Sequence, residues 1–213
     1  MQKSTWGDAV TMRCIRNLAS AILISIFALY PAVSWAGPAS ELVQNFQSGL
    51  LSVMKDAKKL GVKGRYDRLE PIITNTFHLP LMAGLSAGTH WQTASRDQRN
   101  RLVEAFTGMS IATLATLFDG YSGEEFIVQG EREGPQGITF VDTALKIPGR
   151  DSDVAISYVA RKSEGQWRLI DVIVDGGISE LKVRISEYRQ TLNQGGIEGL
   201  INLLRNKVSD LLS

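Results

Sequence analysis

The chain has 213 residues, of which 23 are basic, 22 are acidic and 44% are hydrophobic, and its formal net charge at pH 7 is +1. This balance, without a basic run interleaved with aromatic residues, argues against a nucleic-acid-binding protein. A chain of this length can build an ordinary hydrophobic core as one domain, so its stability does not require a disulfide framework.

The first 36 residues have the pattern of a cleaved signal peptide. Arg13 and Arg16 form a short positive region, residues 18–30 form an uncharged apolar run, and Ala36 ends a site of the kind that signal peptidases recognise. The apolar run is about 13 residues long, whereas roughly 20 are needed to span a bilayer. We therefore predict cleavage after Ala36 and export, rather than a membrane anchor.

The predicted mature chain, residues 37–213, is a single domain without a thiol, because the only cysteine, Cys14, lies in the signal segment. Disulfides, thiolate catalysis and cysteine-ligated metals are excluded for such a chain. The two histidines, His78 and His90, are twelve residues apart, which is not the spacing of ligands on one helix. The sequence therefore predicts no metal site.

Helical periodicity dominates the chain from residue 42 to residue 121. Apolar residues predict one amphipathic helix over 42–54, ended by Gly61 and Gly64, and a second over 66–77. Ser95 and Gln98 then form a capping-box pattern, which opens a central helix. This central helix is predicted to reach Tyr121 and to be loosened at Gly108.

A strand-like period replaces the helical one at residue 125. Four predicted strands cover residues 126–132, 138–147, 154–162 and 167–174. Short turns rich in glycine, proline and aspartate separate them, and such connections join only antiparallel neighbours. Helical periodicity returns over 181–192 and 197–211, with a break at Gly195 and Gly196. The pattern predicts an α+β fold, in which a four-stranded antiparallel meander carries helices on one face.

One catalytic motif is present as a literal match. Residues 84–88 read Gly-Leu-Ser-Ala-Gly, the pattern of a serine hydrolase nucleophile elbow. The residues before it do not form a buried strand, and His90 follows Ser86 by only four residues, so a normal triad cannot be assembled. A serine hydrolase remains an alternative hypothesis.

Apolar residues are abundant on the predicted strands and on the central helix. They predict either a solid core or a hollow between a curved sheet and helices, because cores and cavities use the same residue types. A solid core would suit an interaction module that regulates a membrane complex through its helical face.

Two blocks of residues have a distinctive order and spacing. The first block contains Met82, Gly88, Trp91, Ala94-Ser95, Gln98-Arg99 and Ala105-Phe106. The second contains Gly165-x-Trp167, Asp171, Gly176-Gly177-Ile178-Ser179, Tyr188-Arg189 and Gly195-Gly196-Ile197-x-Gly199-Leu200. Together the two blocks resemble the MlaC-type periplasmic lipid-binding proteins, also called toluene-tolerance proteins. Residues 118–126 resemble the hopanoid-associated HpnM branch of this family. The chain departs from the family where His78 replaces a frequent Asp, Glu180 replaces an apolar residue and Glu198 replaces an Asp.

The resemblance implies a curved sheet like that of nuclear-transport-factor-like domains, with helices on one face enclosing an apolar cavity. It also implies a monomeric, non-enzymatic periplasmic carrier without a cofactor. Such a carrier would shuttle a hopanoid or a phospholipid between inner- and outer-membrane transport complexes. The positions that we expect to bind lipid are Phe106, Met109, Leu117, Tyr121, Phe140, Ile156, Tyr158 and Ile173. We interpret Asp171 as a buried acid paired to backbone or to arginine, and Ser179 as a helix N-cap.

Overall fold

The structure is a computed structural model that describes residues 37–213, so the predicted signal peptide lies outside the described residues. Within this range the chain forms six α-helices and one antiparallel sheet of five strands, in the order β1-β2-β3-β4-β5. The helices are α1 (Pro38–Lys55), α2 (Ala57–Thr76), α3 (Leu79–Ala87), α4 (Thr89–Thr93), α5 (Arg96–Leu117) and α6 (Glu180–Leu212). The strands are β1 (Glu125–Glu133), β2 (Ile138–Lys146), β3 (Val154–Ser163), β4 (Gln166–Val174) and β5 (Ile178–Ser179). The predicted α+β class is confirmed.

The boundary between the first two helices differs from the prediction. Helix α1 ends at Lys55 rather than at Gly61, and α2 begins at Ala57. The predicted break at Gly61 lies inside α2, where a φ of 63° and a ψ of 177° separate two helical parts at a kink. Arg65, which is almost fully buried, braces this kink. Its guanidinium donates to the carbonyl oxygen of Ala57 at 3.0 Å and to that of Ala115 in α5 at 2.6 Å. These bonds tie both parts of α2 to the central helix.

The predicted capping box at the start of α5 is confirmed. The Ser95 hydroxyl accepts from the Gln98 amide at 3.1 Å, and the Gln98 side chain accepts from the Ser95 amide at 2.9 Å. Both bonds satisfy amides that the first helical turn would otherwise leave unpaired. The helix ends at Leu117, four residues before the predicted end at Tyr121.

Gly108 does not loosen α5, because the helix runs through it without a break. A Cβ at this position would lie 3.4 Å from the Tyr66 hydroxyl of α2 and 3.7 Å from Val208 of α6. Both are ordinary van der Waals distances, so α2 and α6 pack directly against the central helix at this position.

Two β-bulges change which side chains face the helices. In β1, Gln129 has no partner, and Glu131 pairs opposite Val141. The Glu131 carboxylate then accepts a hydrogen bond from the Ser40 amide at 2.5 Å. The N-cap of α1, Gly37, has no side chain that could accept such a bond, so Glu131 acts as the acceptor at this N-terminus.

The second bulge lies in β4, where Ile170 is unpaired. Leu169 pairs with Ala160, whereas Asp171 pairs with Val159, so one extra residue separates the two pairs. Because side chains alternate along a strand, this extra residue exchanges the two faces of β4 beyond it.

The prediction of four strands is wrong by one, since β5 adds a fifth. Asp175 and Gly176 have φ values of 48° and 72°, and this tight turn pairs Ile178 with Val174. A strand of two residues has no measurable period, which explains why the sequence pattern does not reveal it.

The predicted break in the last helical region is confirmed within α6, because a φ of 58° and a ψ of −155° at Gly196 separate two helical parts at a kink. Beyond the kink, Glu198 accepts from Arg101 of α5 at 2.8 and 2.5 Å and from Gln98 at 3.2 Å. The hydrogen bonds from Arg101 hold the pKa of Glu198 below its usual value. This paired contact joins α6 to the start of α5.

The core lies between the helices and one face of the sheet, as predicted. Its fully buried members come from α1, α2, α5, α6 and the inner sheet face, and include Val43, Leu69, Leu102, Val141, Leu169 and Leu200. Each such side chain contributes on the order of 1.5–3 kcal/mol through burial.

Ser179 caps α6, as predicted, because its hydroxyl accepts from the Lys182 amide at 3.1 Å. Asp171 accepts from the Ser179 hydroxyl at 2.6 Å and from the Leu181 amide at 3.0 Å. It is half-buried and bonded to backbone and serine rather than to arginine. Asp171 thus joins β4 to the N-terminus of α6.

We predict that Asp171→Ala lowers the free energy of unfolding by about 1–3 kcal/mol, because it leaves the Leu181 amide and the Ser179 hydroxyl without their acceptor. Chemical denaturation monitored by circular dichroism measures this change. Asp153→Ala, at an exposed turn position, is the matched control and should change stability by less than about 0.5 kcal/mol. Equal stability of the two variants would contradict the role of Asp171.

Candidate functional site

A cavity of about 250 Å³ lies between the inner face of the sheet and helices α1, α2, α3, α5 and α6. Part of its lining is almost completely buried, namely Phe46, Leu50, Ile73, Phe77, Phe106 and Tyr158. We define the rim as Leu117, Phe118, Glu180, Leu181 and Arg184, of which Leu117 and Glu180 are exposed and the other three are half-buried. The cavity thus extends from a buried interior to solvent.

Aromatic rings close the interior of the cavity. The ring of Phe46 contacts those of Phe77 and Tyr158 edge-on, with centroids 5.2 and 6.0 Å apart. The Tyr158 hydroxyl accepts from the Gln47 side chain at 3.5 Å. Burial raises the pKa of Tyr158 to about 12, so this wall is uncharged at neutral pH.

Helix α5 supplies a continuous stripe of the lining. The stripe consists of Phe106, Ser110, Thr113, Leu114 and Leu117. Phe106 and Leu117 were expected there, but Met109 does not line the cavity. At 3.6 residues per turn, Met109 points roughly 80° away from the centre of the stripe, where it packs against the core instead.

The two hydroxyls in this stripe do not make it polar. Ser110 donates to the carbonyl oxygen of Phe106 at 2.9 Å, and Thr113 donates to that of Met109 at 2.8 Å. Because both hydroxyl protons are used within α5, the cavity wall presents no free donor at these positions.

Strand β3 contributes Ile156 and Tyr158, both of which were expected. The expected residues of the neighbouring strands, Phe140 and Ile173, lie on the opposite face of the sheet. Phe140 pairs with Val159, and Ile173 pairs with Ser157, so each alternates with the lining residues of β3.

The neighbouring strands line the cavity with other residues, namely Phe126, Leu145, Val172 and Val174. In β4 the cause is the bulge at Ile170, which brings Val172 to the face that Leu169 occupies. In β2 the apolar pattern is ambiguous, because Phe140 on the outer face is as apolar as Leu145 on the inner face. The ring centroid of Phe140 instead lies 3.9 Å from the Cζ atom of the Arg132 guanidinium.

Tyr121 was also expected to line the cavity but does not. It lies beyond the end of α5, is 42% exposed, and has the Lys55 ammonium 5.3 Å from its ring centroid. Helices α1, α2 and α3 also line the cavity, and the sequence pattern did not predict this. The apolar face of α1 was predicted, but nothing in that pattern distinguishes a core face from a cavity wall.

The segment that matches the nucleophile elbow has a different geometry. Ser86 lies inside helix α3 with no strand before it, and its hydroxyl donates to the carbonyl oxygen of Ala83 at 2.9 Å. Its side chain is buried. His78 caps the same helix, because its Nδ1 accepts from the Leu81 amide at 3.3 Å. The strand-to-helix turn that exposes such a serine is absent from this segment.

Residues 37–213 lack two further kinds of feature. This part of the chain contains no group of three or more His, Cys, Asp or Glu side chains placed to hold a metal ion. None of its helices combines the length and the apolar character needed to cross a membrane.

The fold and the cavity define an α+β protein with an apolar pocket between a five-stranded antiparallel sheet and a helical layer. The family model described as "MlaC protein" matches residues 44–206, more than half of the chain. The chain therefore belongs to the MlaC family. Among curated proteins, none matches it significantly.

A solved structure has the same fold. It is a phospholipid-binding protein from Ralstonia solanacearum in complex with a phospholipid, with a TM-score of 0.72 and 17% sequence identity. The match covers 82% of this chain and 99% of the Ralstonia chain.

We predict that Thr113→Trp fills the cavity and weakens binding of the apolar fluorescent probe N-phenyl-1-naphthylamine by about tenfold, because the indole occupies space that the probe needs. Thr116→Trp is the matched control, since Thr116 lies on the exposed face of the same helix. Fluorescence titration measures both affinities, and thermal unfolding checks that both variants are folded. Equal affinity in the two folded variants would contradict the cavity assignment.

Proposed function

We propose that this protein is a non-enzymatic carrier that encloses the tail of a membrane lipid, a phospholipid or a hopanoid, in the cavity. The observation that carries this proposal is an apolar cavity that connects a buried aromatic interior to a partly exposed rim. Such a cavity can replace water around a hydrocarbon chain without any chemical step.

The physical need for such a carrier follows from the hydrophobic effect. Exposing a ~16-carbon chain to water costs on the order of 12 kcal/mol, at about 0.8 kcal/mol per methylene. Unaided transfer between two membranes is therefore very slow. A protein that buries the chain removes most of this cost, and release then requires a partner that opens the pocket or competes for the lipid.

The size of the cavity implies that it widens on binding. Its volume of about 250 Å³ is below the roughly 300–1,000 Å³ of pockets for drug-sized ligands, and a two-tailed lipid is larger than such ligands. We expect the rim to move apart, because Leu117 is 66% exposed and little packing opposes its displacement.

Family membership and the phospholipid in the Ralstonia structure support lipid as the ligand. Proteins of the MlaC family are periplasmic, and the predicted signal peptide agrees with that location. We further propose a monomer that shuttles lipid between inner- and outer-membrane transport complexes. The resemblance of residues 118–126 to the HpnM branch makes a hopanoid the alternative cargo. The cavity favours a carrier over an interaction module with a solid core.

Mass spectrometry of organic extracts tests this proposal. The protein is purified from its native periplasm without detergent, and we expect about one lipid per protein molecule, since the tail gains several kcal/mol by burial. A diacyl lipid or a triterpenoid would identify the cargo. Folded protein that carries no lipid, and that takes none from vesicles, would contradict the proposed function.

A further inference from the structure

Two charged side chains line the cavity, and both lie on α6. Glu180 and Arg184 are four residues apart and therefore share one face of the helix, with Cβ atoms about 5–6 Å apart. Both belong to the rim, so a lipid with its tail in the cavity would hold its headgroup close to them.

Arg184 retains donors for a ligand. Its Nη1 donates to the Tyr188 hydroxyl at 3.4 Å, which is a long hydrogen bond. None of the ion pairs found in residues 37–213 includes Arg184, not even one with Glu180. The remaining N–H groups of the guanidinium are thus available at the rim.

Two amides and two hydroxyls near the rim already have acceptors. In the first turn of α6, the Leu181 amide donates to Asp171 and the Lys182 amide donates to Ser179. The hydroxyls of Ser110 and Thr113 donate within their own helix. An anionic group at the rim therefore has Arg184 as its cationic partner in the lining.

We propose that the rim recognises a zwitterionic phospholipid, with Arg184 binding the phosphodiester and Glu180 accepting the headgroup ammonium. A guanidinium binds phosphate oxygens through two parallel hydrogen bonds, which are about twice as strong as neutral ones. Glu180 disfavours a purely anionic headgroup, because like charges repel at the same helix face. This inference rests on the proposed function and names the substrate class of the same site. An uncharged hopanoid forms no ion pair with either group.

Lipid binding by two charge-removing variants tests the inference. The full mature protein is incubated with dioleoyl phosphatidylethanolamine, dioleoyl phosphatidylglycerol or uncharged oleyl alcohol, which share the same hydrocarbon tail. We expect Arg184→Gln to weaken phosphatidylethanolamine binding on the order of tenfold to a hundredfold, with oleyl alcohol binding unchanged. We expect Glu180→Gln to shift the preference toward phosphatidylglycerol by about fivefold or more.

The controls remove one charge from the same helix outside the cavity lining. Lys182→Gln matches Arg184→Gln, and Glu187→Gln matches Glu180→Gln, since both control residues are exposed. Each control should behave as the unsubstituted protein does. A wild-type protein that binds none of the three lipids would overturn the proposed function together with this inference.

Three other results would overturn the inference alone. In each case the wild-type protein binds lipid. The first result is an unchanged affinity of Arg184→Gln for phosphatidylethanolamine, and the second is that this variant loses oleyl alcohol binding to the same extent as phosphatidylethanolamine binding. The third is an unchanged headgroup preference of Glu180→Gln.

Discussion

The β-bulge at Ile170 is the constraint on which the cavity depends. Before the bulge, Leu169 faces the helices and is completely buried in the core. After it, Val172 faces the same side and lines the cavity, while Asp171 bonds to the N-terminus of α6. Because of this extra residue, β4 packs in the core at one end and lines the cavity at the other. The same strand also bonds to α6, the helix that carries the charged residues of the rim.

The distribution of polar groups matches the task of holding a hydrocarbon tail. Inside the cavity, hydroxyls donate to the backbone of their own helix, and burial keeps Tyr158 neutral by raising its pKa. Charge is confined to Glu180 and Arg184 at the rim. A tail thus meets apolar walls, and a headgroup meets charge, so the arrangement favours an amphipathic ligand in one orientation.

Local sequence signals predicted local structure well, whereas the faces of the strands depended on distant partners. The capping box at Ser95 and the N-cap at Ser179 needed only nearby residues, and both are confirmed. The expected cavity positions Phe106, Leu117, Ile156 and Tyr158 line the cavity, but Ile173 does not, because the bulge that reverses β4 appears only when β3 and β4 pair. Gly61 and Gly196 were read as helix breaks, and the backbone is non-helical at both residues. The faces of the strands are set by tertiary contacts, which a single sequence does not display.

The central claim is that the void between sheet and helices holds a lipid tail. A crystal structure of the protein purified from its native periplasm without detergent measures this most directly. We expect continuous electron density for a lipid tail beside Phe106, Ile156 and Val172, with the headgroup at the rim. Side chains that close the cavity with no lipid present, or lipid bound only on the outer sheet face near Phe140 and Ile173, would contradict it.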